Sequence, residues 1–186
     1  GKRSVALGST SSGRPAEVAG SEEMLGLFIN TLPLIDGPPA QLEVLPWLRA
    51  LQAKNVALRE HEHTPLYEIQ RWAGQGGQGL FDTLVVFENY PVDEALKGAA
   101  PSGTTFALQG NREQTNYALT LVLNLGKELA LHASFDLTLL SDEKMTHLLV
   151  QWQQVLGELS LHAKVGNLPI VSSSEYQALK ALSSNP

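Results

Sequence analysis

Hydrophobic and polar positions along the chain repeat with two periods. Between residues 42 and 60, Leu45, Leu48, Leu51 and Leu58 recur at helical spacing, with Lys54 and Arg59 off that stripe. This predicts a helix with one apolar face. Pro46 then falls in the first turn, where a missing N–H leaves no helical bond unmade. The strongest helical pattern is Ser141–Leu161, in which Met145, Leu148, Leu149, Trp152, Leu156 and Leu159 form one stripe. Shorter helices are predicted over Pro65–Trp72 and Ser172–Leu182. Another is predicted over Ser21–Gly26, with Ser21 as N-cap and acidic residues in the first turn.

Elsewhere the period is two. Tyr117, Leu119, Leu121 and Leu123 alternate with other residues, and Leu129, Leu131, Ala133 and Phe135 repeat the pattern beyond Gly126. That is the signature of a hairpin. Leu80–Tyr90 predicts a strand, and the run Leu84-Val85-Val86-Phe87 predicts burial on both faces. Phe28–Leu34 reads as extended, with Pro33 marking a sheet edge or a strand end. Val5–Leu7 reads as a short strand, Gly8–Pro15 as a loop by composition, and residues 92–104 as another loop. Strands mixed with long helices, without an internal repeat, give a two-layer α/β or α+β lobe.

Bulk properties narrow the function classes. A length of 186 residues suits one domain or a large lobe, and 43% hydrophobic with 17% charged residues supports a core. A net charge of −6 argues against a nucleic-acid-binding face. No apolar run is long enough to span a membrane, and the first residues lack a secretory layout. With no cysteine, disulfides, thiolate catalysis and Cys-based zinc sites are excluded, which fits a cytoplasmic protein. The chain opens Gly1-Lys2-Arg3-Ser4-Val5 and reaches apolar residues almost at once, whereas natural termini are usually polar. The expectation is a piece cut from a longer chain.

Candidate chemistry is sparse. Residues 74–79 spell a literal G-x-G-x-x-G, but a dinucleotide fingerprint needs a strand before it and a helix after it. Here a helix precedes and a strand follows, so the glycines read as a helix-to-strand connection. His61-Glu62-His63 lacks the i, i+4 spacing that puts two rings on one helix face, and reads as capping or packing before Pro65. His132 and His147 read as a strand residue and a helix-surface residue. The serines at 9–12 lack nucleophile-elbow spacing. Arg14, between Gly13 and Pro15, could hold a carboxylate or phosphate in its guanidinium fork. Asn30 and Asn89 are amides beside apolar strands; each is a structural tie or a group aimed into a cavity. No metal site is expected. The residues alone describe a lobe without a catalytic constellation.

Several stretches taken in order go further. Gly8-Ser-Thr-Ser-Ser-Gly-Arg-Pro-Ala-Glu17, Met24-Leu-Gly-Leu-Phe-Ile-Asn-Thr-Leu-Pro-Leu34, Leu58-Arg-Glu-His-Glu-His-Thr-Pro-Leu-Tyr-Glu-Ile-Gln70 and Leu80–Pro91 resemble the second half of condensation domains of nonribosomal peptide synthetases. The resemblance covers essentially the whole chain. It implies one lobe of a V-shaped pair, each lobe like chloramphenicol acetyltransferase, with a mixed β-sheet packed by long helices. Two carrier proteins bring phosphopantetheine-bound thioesters into the tunnel between such lobes, and the acceptor amine attacks the donor thioester to form a peptide bond. The family's H-H-x-x-x-D-G motif, which supplies the active-site His, belongs to the first lobe. None of the 5 His of this sequence sits in that pattern.

By this resemblance, residues 1–170 are the C-terminal, acceptor-side lobe without its N-terminal partner, and 171–186 begin a linker toward a following domain. Ser9–Gly26 would include the floor loop beneath the tunnel, and roughly Thr104–Tyr117 the latch that crosses to the other lobe. Arg14, Asn30, Thr31 and Asn89 would line the tunnel or position substrate, with no catalytic residue in this piece. Ile35 stands where many members carry Arg, so that Arg's role is not carried over. Expected partners are the N-terminal lobe, donor and acceptor peptidyl carrier proteins and a downstream adenylation domain, with self-association of the isolated piece and no nucleic acid or membrane. No cofactor is expected to bind directly, and the isolated piece is expected to be inactive. Two alternatives share the fold: a non-catalytic docking module, and a carrier-dependent acyltransferase outside peptide synthesis.

Overall fold

The computed structural model describes residues 4–13, 18–21, 23–88, 115–126 and 128–183. Its strands are β1 (Val5–Ser11), β2 (Asn30–Asp36), β3 (Thr83–Glu88), β4 (Leu119–Leu125) and β5 (Leu129–Phe135). Its α-helices are α1 (Val44–Arg59), α2 (Leu66–Trp72), α3 (Asp142–Glu158) and α4 (Ser173–Ser183), with a 3-10 turn at Val165–Asn167. The strands form one mixed sheet in the order β2-β1-β3-β4-β5. β3 runs parallel to both β1 and β4, while β4 and β5 are antiparallel. Pro33 lies on β2, an edge strand, where a missing N–H removes no ladder bond from the sheet interior.

The chain divides into two compact units. The first comprises Gly1–Ala6, Leu34–Thr64 and Leu137–Pro186, and holds α1, α3 and α4. Val44 and Met145 are its most buried apolar residues. Residues 40–44 run along 163–166: Val44 N–H donates to Ala163, Val165 N–H to Leu42 and Gly166 N–H to Ala40. The start of α1 is thereby tied to the segment that follows α3. A second tie joins α1 to the end of β2. Trp47 Nε1 donates to Asp36 Oδ2 at 2.7 Å, and Lys54 Nζ donates to Asp36 Oδ1 at 2.7 Å and to the Ile35 carbonyl at 2.8 Å.

The second unit, Leu7–Pro33 and Pro65–Asp136, holds α2 and most of the sheet. Leu32, Phe81, Leu84 and Leu119 are buried in it. α2 ends as a glycine-terminated helix should: Gly74 has φ 69° and Gln75 N–H reaches back to the Gln70 carbonyl. Gln78 N–H then closes on Gln75 in a turn whose Gly77 has φ 80°. The G-x-G-x-x-G sequence is thus a helix stop and a turn between α2 and β3, as the reversed order predicts.

Some expectations are corrected. Gly8–Ser11 belongs to β1, not to a loop, because Gly8 and Ser9 pair with Leu84 and Val85 of β3. Such non-local pairing overrides a loop-like composition. Of Ser21–Gly26, the described residues form turns instead of a helix, with Ser21 N–H bonded to Val18, Glu23 N–H to Gly20 and Met24 N–H to Ser21. So short a segment gains too few bonds to offset helix nucleation. In β3 only Leu84 is buried, Val85 and Val86 are half-buried and Phe87 is 56% exposed, so the strand is not covered on both faces along its length. The stripes of α1 and α3 also extend past their covered parts, leaving Leu45 and Leu156 exposed.

Candidate functional site

The expected site residues meet the structure unequally. Arg14 and Asn89 lie outside the described residues. Asn30 and Thr31 open β2, both half-buried, and Asn30 Oδ1 accepts the Thr31 N–H at 2.9 Å. The Asn30 side-chain oxygen is therefore engaged at the strand start and fixes the backbone there. Of the expected latch, only Thr115, Asn116 and Tyr117 are described.

Around Thr31 the second unit assembles a group that no sequence pattern marked. A Cβ on Gly8 would stand 2.4 and 2.8 Å from ring carbons of Phe81 and 2.9 Å from Thr31 Cγ2. Only glycine leaves room for that ring and that methyl group above β1. Phe81 in turn stacks on Tyr117, with centroids 5.3 Å apart and planes at 23°. Burial raises the Tyr117 phenol above its ordinary range, so it stays protonated and neutral at physiological pH. Tyr117 is fixed through its neighbours. Its N–H donates to Thr115 Oγ1 at 3.3 Å, Thr115 and Thr120 share a hydroxyl bond of 2.6 Å, and Leu119 N–H donates to the Asp82 carbonyl.

The register explains the stack. Thr83 faces Leu119 and Leu84 faces Thr120 in adjacent parallel strands, so residues two positions earlier, Phe81 and Tyr117, are brought side by side. The sequence holds only the weak trace that each aromatic lies two residues before an apolar strand. Two residues along β1 from Gly8, Thr10 Oγ1 is buried and lacks a hydrogen-bond partner among the described residues.

The histidines do not converge. His61, Glu62 and Thr64 lie in consecutive turns after α1, where Thr64 N–H bonds the His61 carbonyl. His132 is exposed on β5. His147 lies on α3, 3.8 Å from Glu175 of α4, beside an open cleft of about 380 Å³ also lined by Val150, Gln151, Gln154 and Ser172. That cleft, within the first unit, contains none of the expected site residues. Among the described residues no group of three or more His, Asp or Glu could hold a metal ion, and no helix is long and apolar enough to cross a membrane.

Comparison with known proteins places the chain in a family. The profile of the family described as the condensation domain matches residues 1–180. The chain belongs to the condensation-domain family. Similar proteins include a linear gramicidin synthase of Brevibacillus parabrevis, 38% identical over 180 residues that make up 95% of this chain and 4% of that one. Chondramide synthase of Chondromyces crocatus is 35% identical over 182 residues, 96% of this chain and 5% of that one. The condensation-domain chain thus spans a small fraction of the length of these relatives. Among solved structures, a four-domain nonribosomal peptide synthetase bound to AMP and glycine superposes with a TM-score of 0.75 at 17% identity, covering 94% of this chain and 14% of that chain. The first condensation domain of the CDA synthetase superposes with a TM-score of 0.66 at 19% identity, covering 92% of this chain and 38% of that chain. The fold is the mixed α/β, chloramphenicol-acetyltransferase-like fold of condensation domains.

Proposed function

We propose that this chain is the acceptor-side, C-terminal lobe of a condensation domain in a cytoplasmic nonribosomal peptide synthetase. The observation that carries the reading is the family match across residues 1–180, among relatives that are peptide synthases. Coverage of only 38% of a solved condensation domain supports the view that a further lobe completes the unit. In this reading the active-site His, in H-H-x-x-x-D-G, comes from the N-terminal lobe. The acceptor amine attacks the donor thioester carbonyl, the amide bond forms, the C–S bond breaks, and the thiol leaves on the donor carrier as the amine gives up a proton.

This lobe supplies the tunnel wall, through Arg14, Asn30, Thr31 and Asn89, and holds the acceptor in line with the donor. Holding two carrier-bound groups in register turns an encounter into a near-unimolecular step, a gain of about 7 kcal/mol at full effect. Substrates arrive on the phosphopantetheine arms of donor and acceptor carrier proteins, and residues 171–186 lead toward an adenylation domain. The test uses the complete synthetase chain containing this segment. Asn30→Ala and Asn89→Ala are expected to lower acceptor kcat/KM by about tenfold each, the loss that follows from a misplaced reactant. Unchanged kinetics in both variants would remove these residues from the wall.

A further inference from the structure

We infer that Phe81 and Tyr117 are positioning residues for the acceptor side of the tunnel, acting through Thr31. The inference rests on the reading just given, in which Asn30–Thr31 is part of the wall.

The groups converge on Gly8. Thr31 Cγ2 and the Phe81 ring both close on the space above Gly8, and Phe81 stacks on Tyr117. Phe81 is 6% exposed, and its ring lies over Gly8 and against the Tyr117 ring. The backbone at Tyr117 is tied by its N–H to Thr115 Oγ1, whose hydroxyl bonds Thr120, and two residues on Leu119 N–H bonds the Asp82 carbonyl. Pinned at that end, the stack keeps the ring seated on β1 and the ring fixes the room open to Thr31. Packed interiors transmit small displacements because they have no slack. Removing the Tyr117 ring lets Phe81 tilt away from Gly8 and gives Thr31 a second position.

The contribution lies in the rings. The Tyr117 hydroxyl has no assigned part in the stack, so Tyr117→Phe keeps the brace and Tyr117→Leu loses it. Gly8→Ala reaches the same ring from the other side, since the added methyl would occupy the space of its edge.

The experiment measures steady-state condensation by the complete synthetase chain, varying acceptor-loaded and donor-loaded carrier protein separately, with thermal unfolding followed for each variant. Tyr117→Leu is expected to lower acceptor kcat/KM by about tenfold and leave donor kcat/KM within about twofold. Tyr117→Phe is expected to match the parent, and Gly8→Ala to reproduce the acceptor-side loss. Equal losses for both carriers, or no loss with the fold intact, would overturn the inference. Should Tyr117→Leu unfold, Gly8→Ala and the milder Tyr117→Met carry the same test. A parent chain with an intact H-H-x-x-x-D-G lobe that forms no peptide bond would instead defeat the functional reading on which the inference rests.

Discussion

Gly13 shows how tightly single positions are specified in the second unit. It is buried with φ 61°, and a Cβ there would lie 1.9 Å from the Phe28 carbonyl oxygen, a backbone atom that cannot swing aside. Gly13→Ala therefore combines left-handed strain with a backbone clash. It is expected to lose about 2 kcal/mol or more in denaturant unfolding. A loss below about 0.5 kcal/mol would show that the Gly13–Phe28 approach is relaxed in solution. Asp36 offers a second test at this scale. The hydrogen bond from Lys54 is the main cause holding its carboxyl below the ordinary range, with Trp47 and the Gly37 N–H adding to it against the opposing effect of burial. A folded pKa below the unfolded one means that the stabilisation is complete above the ordinary carboxylate range and fades as pH falls through the folded value. Lys54 is 44% exposed, so Lys54→Met is expected to cost less than about 1 kcal/mol at neutral pH, and the difference from the parent should shrink in acid. A difference that persists unchanged in strong acid would assign the effect to the lysine stem instead of its charge.

At the scale of elements, α3 is the best-specified helix. Ser141 caps it by accepting the Lys144 N–H, Asp142 and Glu143 meet the positive end of its dipole, and Met145 is 2% exposed. Met145→Ala is expected to cost about 2–5 kcal/mol, and Ser141→Ala about 1 kcal/mol, in equilibrium unfolding. A reversed order would mean that this helix depends on its cap more than on its seat. Elements of this kind were legible from sequence because periodicity and capping are local: α1, α3 and the β4–β5 hairpin follow from spacing, and α4 lies where a short helix was expected, with Ser172 accepting the Glu175 N–H. What local pattern could not show is long-range pairing. β1 runs through a serine-rich stretch because the sheet places it between β2 and β3. The Phe81–Tyr117 stack needs β3 and β4 to be parallel neighbours, although the aromatics are far apart in sequence. Ser21–Gly26 failed in the opposite direction, since its cap and acids suited a helix too short to persist. The family resemblance singled out Asn30 and Thr31 as expected wall residues; no local pattern marked the packing of Phe81 over Gly8.

At the scale of the whole molecule, several exposed apolar residues fall in one segment. Leu25 is 101% exposed and Leu27 is 90% exposed, in the segment that leaves the expected floor loop and enters β2. Isolated exposed leucines are ordinary, but a run that also includes Met24 and Ile29 marks a surface suited to association. The proposed function makes one central claim: the chain positions substrate for chemistry carried by another lobe. The direct measurement is peptide-bond formation between carrier-bound thioesters, followed by mass spectrometry of the acceptor carrier. This chain would be assayed alone and joined to an N-terminal lobe with an intact H-H-x-x-x-D-G. No product is expected from the chain alone, and condensed product is expected from the joined lobes. Condensed product from the chain alone would contradict the claim.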